Sequence, residues 1–118
     1  MVDTKMIKTQ IEEIELNIEQ AKLIVANGTA LDRLRNNRDF KKVIVEGYFE
    51  KEAIRLVHMK SDFNLQDEVS QRDIDLDIVA VGRLGKYFNE VLRRADLASK
   101  AIEADEQTRE ELLAEEID

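Results

Sequence analysis

The chain has 118 residues, 43% apolar and 37% charged, with a net charge of −8 and neither cysteine, proline nor tryptophan. Disulfides, thiolate metal sites and cysteine nucleophiles are excluded. Only six residues are Phe or Tyr, which suits helices packed by Leu, Ile, Val and Ala better than a β-sandwich.

The length predicts one domain, 1–118, with a modest core, because chains this short bury only about two-thirds of the surface exposed on unfolding. The opening Met1-Val2-Asp3-Thr4-Lys5-Met6 lacks the apolar core of a signal peptide. No stretch approaches the length of apolar sequence that spans a bilayer, so the expectation is a soluble protein without a membrane partner.

The first element is predicted over 3–26. Ile7, Ile11, Ile14, Ile18, Ala21 and Val25 recur at steps of four and three, the heptad spacing of a helix with one apolar seam. Asn27-Gly28 reads as its C-cap, since both residues tolerate the left-handed conformation.

A helical middle is predicted over 29–60. Thr29-Ala30-Leu31-Asp32 has capping-box spacing with Asp in place of Glu. Asn36-Asn37 reads as a break, and Asp39 is placed to cap the helix after it. Val43-Ile44-Val45 is a β-branched run before Glu46-Gly47 and admits a strand entering a turn. Helix is preferred, because Ala53, Leu56 and Val57 continue in helical style and a lone strand lacks a partner. Gly47 then marks a kink or a close helix crossing. Ser61-Asp62-Phe63-Asn64 is the clearest loop.

The last element is the longest. Ile74, Ile78, Val81, Gly85, Phe88, Leu92, Ala95, Ser99 and Ile102 keep the same beat, and Ser70-Gln71-Arg72-Asp73 has capping-box spacing. A helix over 70–114 would be about 65 Å long, against a radius of gyration of about 13–14 Å for a domain of this size. It must project or pair. The small seam residues Gly85, Ala95 and Ser99 point to close packing against another helix. From Glu103 onward eight acids (Glu103, Asp105, Glu106, Glu110, Glu111, Glu115, Glu116 and Asp118) face Arg109 alone, while residues 1–102 carry 18 acids and 17 bases. Acids oppose the dipole at a helix C-terminus, so fraying is expected beyond about Asp105. The fold class is therefore all-α: a helical hairpin or bundle with a long, coiled-coil-like C-terminal helix.

Catalytic motifs are missing. Asp73-Ile74-Asp75-Leu76-Asp77 starts like a calcium loop, but Ile78 and Leu84 stand where Gly and Glu are needed. Gly82-Arg83-Leu84-Gly85-Lys86 lacks the spacing of a phosphate loop, and the heptad runs straight through it where a KH domain needs a loop. His58 is the only histidine, and reads as a surface or interface residue. Paired acids such as Glu12/Glu13, Glu50/Glu52 and Glu110/Glu111 read as helix solvation rather than acid–base pairs. Arg33, Arg35, Arg38, Lys41 and Lys42 form a basic cluster suited to phosphates or to the acidic tail of a neighbouring copy. A second set, Arg83, Lys86, Arg93 and Arg94, lies on the long helix. Without interleaved aromatics or a net basic domain, nucleic acid is not the expected partner. No cofactor or metal is expected.

Asp39-Phe40-Lys41-Lys42-Val43-Ile44-Val45-Glu46-Gly47-Tyr48-Phe49-Glu50-Lys51-Glu52-Ala53-Ile54-Arg55-Leu56-Val57, with Ala80-Val81-Gly82 and Glu103-Ala104-Asp105-Glu106-Gln107-Thr108, resembles small acidic coiled-coil-containing proteins of tailed bacteriophages. The likeness spans most of the chain from about Ile11. It implies a phage setting, in the host cytoplasm or associated with the virion, and carries no functional residues over. The expectation is a non-enzymatic structural or assembly protein that self-associates or docks through helix seams, with exposed members of Ile7, Ile11, Ile14, Ile18, Phe88, Leu92 and Ile102 as contacts. The alternative is an acidic regulatory inhibitor whose tail fills a basic cleft of a host nucleic-acid enzyme.

Overall fold

The computed structural model describes residues 3–117. The Asp3 carboxylate accepts from the Lys5 amide at 3.0 Å and so opens α1, Thr4–Asn36. Then come a single turn α2, Arg38–Phe40; a π-helical segment, Lys41–Glu52; α3, Ala53–Ser61; a 3₁₀ turn, Phe63–Leu65; and α4, Glu68–Ile117. The fold is all-α, a helical hairpin or bundle, with no strand among the described residues. Val43-Ile44-Val45 is helical, and the strand alternative falls.

The residues group into two compact units, one taking those up to Ala30 and from Val91 onward, the other Leu31–Glu90. In the first, α1 and α4 run antiparallel, since Gly28 faces Ala95 and Lys8 pairs with Glu116 at 4.0 Å. Ile7, Ile11, Ile18 and Ala98 are its buried apolar side chains, with Ile14, Ala21 and Val25 half-buried beside them. The predicted seam of α1 is thus its buried face.

The expected cap at Asn27-Gly28 is overturned. No glycine takes a positive φ, and α1 continues to Asn36. Gly28 is buried three places beyond Val25, where a Cβ would collide with the Ala95 Cβ. Its function is close approach, and its lack of a side chain is what the packing needs. Thr29 therefore caps nothing; its hydroxyl donates back to the Val25 carbonyl at 3.1 Å, inside the helix.

In the second unit Asn36-Asn37 is the break, as the sequence predicts, but the cap belongs to Asn37 rather than Asp39. The Asn37 side-chain oxygen accepts from the amides of Asp39 and Phe40, both at 3.0 Å. Asp62 caps the 3₁₀ turn through the Asn64 amide at 2.8 Å. The side-chain Nε2 of Gln71 donates to the carbonyls of Lys60 at 3.1 Å and Leu65 at 2.8 Å, tying the end of α3 and the 3₁₀ turn to the first turns of α4. Lys60 pairs with Asp75 across the same junction. Leu31, Leu56 and Ile74 are the buried side chains, Leu56 at 1% exposure.

α4 starts two residues earlier than the Ser70 signal implies, because Asp67, not Ser70, supplies the cap: its carboxylate accepts from the Ser70 amide at 3.0 Å. Its acidic end does not fray beyond Asp105 but is helical to Ile117. Half-buried Leu112 and Glu116 in the stretch antiparallel to the start of α1 offset the unfavourable dipole.

The seam of α4 is half as predicted. Ile74, Val81, Phe88, Ala95 and Ile102 are buried or half-buried. The alternate places fall one residue earlier in the C-terminal stretch: Ala98 is buried and Ser99 exposed, while Leu84 with Gly85 and Val91 with Leu92 share the contact.

Candidate functional site

The π-helical segment builds the most distinctive surface. Phe40 and Phe49 are nine residues apart, which would put them on opposite sides of an α-helix. The wider i→i+5 turns between them bring both rings to one side. Phe40 and Phe49 accordingly meet Phe88, with ring centroids 6.1 and 5.6 Å away, the second edge-on at 78°. Gly47 fits the wide turn, since a Cβ there would stand 3.1 Å from the Lys42 carbonyl oxygen five residues back. It marks no close crossing, because no other helix comes within 4 Å of that Cβ position.

Beside these rings lies an open groove of about 230 Å³, lined by Arg35, Val45, Phe49, Gly85, Phe88 and Asn89. Gly85 leaves room rather than closing a contact, because a Cβ there would sit 3.6 Å from the Phe49 ring, an ordinary separation. Gly82 has open space around it, so neither glycine marks a close crossing. Arg33, Arg35, Arg38, Lys41 and Lys42 are all exposed, and none has an ion-pair partner among the described residues.

The first unit offers a different surface. Leu16 and Leu23, seven residues apart, are 55% and 71% exposed. They lie on the side of α1 opposite Ile14 and Ile18. Ile24 and Leu97 rim a neighbouring groove of about 370 Å³ with Ala21, Ala98 and Ala101.

The predicted contact residues divide accordingly. Ile7, Ile11 and Ile18 are buried within their own unit and are not exposed contacts; Ile14, Phe88, Leu92 and Ile102 are half-buried. Of the acidic end, Glu103, Glu110, Glu111 and Glu115 are exposed, while Asp105, Glu106 and Glu116 are half-buried. Leu16, Leu23, Leu97 and the Phe49–Phe88 groove were not singled out by sequence reasoning. The seven-residue interval of Leu16 and Leu23 was a usable signal; the groove was not legible, because it depends on π-helical turns.

The displaced proton affinities belong to surface caps and pairs. The hydrogen bond from Arg55 (2.9 Å from its Nε), and then its charge, hold the Glu52 carboxyl below its ordinary value, and Arg55 is raised in turn. Hydrogen bonds from the Ser70 hydroxyl and then its amide lower Asp67. His58 is exposed. Among the described residues no group of three or more His, Cys, Asp or Glu is placed to hold a metal ion, and no helix is long and apolar enough to cross a membrane. What the arrangement offers is surface for binding: aliphatic stripes, and an aromatic groove beside unpaired cations.

The chain matches no protein-family model, no curated protein and no solved structure. The geometry defines a class of fold, the all-α hairpin or bundle.

Proposed function

We propose that this is a non-enzymatic interaction protein that self-associates, or docks on a larger phage structure, through apolar side chains its own fold leaves uncovered. The observation that carries the reading is the second stripe of α1. Leu16 and Leu23 lie opposite the seam that α1 spends on its own unit, and Leu97, half exposed on α4, adds to the aliphatic surface. Repeated exposed leucines at heptad interval are the pattern by which one helix recruits another. The resemblance to phage coiled-coil proteins supplies the setting, host cytoplasm or virion.

The test is absolute mass by light scattering over a wide concentration range. A multiple of 13.7 kDa is expected, with Leu23→Glu returning the chain to monomer at unchanged helicity. A concentration-independent monomer overturns self-association and leaves only docking on a larger structure.

A second reading has its own support. Glu103, Glu110, Glu111 and Glu115 stand exposed on a helix that persists to Ile117, and none has an ion-pair partner among the described residues. An acidic regulator of a basic nucleic-acid enzyme would use this surface, and its binding would weaken steeply with added salt.

A further inference from the structure

The groove in the second unit combines two features that select a ligand. Its lining is largely apolar, with Val45, Phe49, Phe88 and the bare backbone of Gly85 beside Asn89 and Arg35. Close to Arg35 in the chain, Arg33, Arg38, Lys41 and Lys42 add exposed positive charge without an ion-pair partner. A ligand suited to both carries an aliphatic anchor among several carboxylates. Phosphate backbones supply the charge without the anchor.

The chain itself contains such a segment. At the end of α4, Leu113 and Ile117 are 41% and 86% exposed, four residues apart and hence on one side of the helix. Glu110, Glu111 and Glu115 are exposed around them. The anchor matches the groove and the charge matches the cluster.

We infer that the groove at Phe49 and Phe88 receives the C-terminal end of α4 from a second copy of this chain, with Leu113 and Ile117 against the rings and the glutamates facing the arginines. This rests on the self-association proposed above and adds to the leucine stripe a second contact, with its own surface and partner segment. A head-to-tail contact of this kind joins two different patches, so it can be satisfied reciprocally in a closed dimer or extended through further copies.

The test uses two full-length charge-reversal variants, Arg35→Glu with Arg38→Glu, and Glu111→Arg with Glu115→Arg. Each alone should weaken self-association by about tenfold or more. Mixed together they should associate again, because each then presents the charge that the other lacks. Gly85→Met, whose Cβ would stand at an ordinary 3.6 Å from the Phe49 ring and whose side chain would occupy the groove, and Ile117→Asp should weaken it too, at unchanged helicity. The inference is overturned if the reversals leave the mass unchanged, or if the mixture associates no better than either variant alone. It is also overturned if labelled DNA binds the wild type and the arginine reversals abolish that binding but not self-association. An oligomer insensitive to every one of these variants but dissolved by Leu23→Glu would remove this inference and leave the self-association reading standing. A wild-type chain monomeric at all concentrations removes self-association itself, and this inference with it.

Discussion

Where Gly28 meets Ala95 the first unit closes by bringing two helix backbones together, and its buried side chains are all aliphatic. The second unit spaces its helices with rings, Phe40 and Phe49 against Phe88, and ties its loops with the side chain of Gln71 and the caps Asn37, Asp62 and Asp67. A heptad seam suffices where small residues let two regular helices approach. Where the chain must pass through a break, a π-helical stretch and a 3₁₀ turn, polar caps and aromatic volume replace it. The two units make opposite demands on glycine: Gly28 is required by what lies opposite, Gly82 by nothing within 4 Å.

The largest expected effect is in the second unit. Leu56→Ala removes its most buried side chain and should cost about 2–5 kcal/mol in denaturant unfolding. Amides of Leu31–Glu90 should lose more exchange protection than those of the first unit; equal losses throughout would mean that the two do not differ in this way. Next comes Gly28→Ala. Overpacking against Ala95 costs about 1–3 kcal/mol, against a gain of about 1 kcal/mol for replacing a helical glycine, so a net loss is expected. The exchange Gly28→Ala with Ala95→Gly should recover most of it, and no recovery would show that the small-residue contact is not what closes the first unit.

Gly82→Ala reverses the sign. With open space around it, only helix propensity acts, and a gain of about 1 kcal/mol is expected. The smallest effect tests the polar caps. Asp67 has its folded-state pKa lowered by the Ser70 hydroxyl and amide. Its stabilisation is therefore present above the unfolded carboxylate value of about 4 and disappears as pH falls through the lower folded value. Asp67→Ala should lower the melting temperature at neutral pH, with the gap to wild type closing in acid. A gap that is constant with pH would assign the loss to something other than the carboxylate.

Much of this was readable in advance where one helix face does one job. The α1 seam from Ile7 to Val25, the break at Asn36-Asn37 and the great length of α4 come from spacing and turn chemistry, which act over a few residues. Gly28 was misread because Asn-Gly is a strong local stop signal, and only Ala95 opposite it gives the glycine another role. The α4 seam slipped by one place at Ala98 because an α-helix offers two adjacent positions near each contact, and the facing helix chooses between them.

By itself, then, the sequence determined an all-α chain without thiol chemistry, the apolar face of α1 and the charge division between body and acidic end. These depend on composition and on periodicities that each helix carries alone. The tertiary structure decided which glycine packs, that Phe40 and Phe49 share a side, and that the acidic end stays helical to Ile117. Each of those depends on a partner distant in sequence or on a change of helical pitch, and neither is encoded in local spacing.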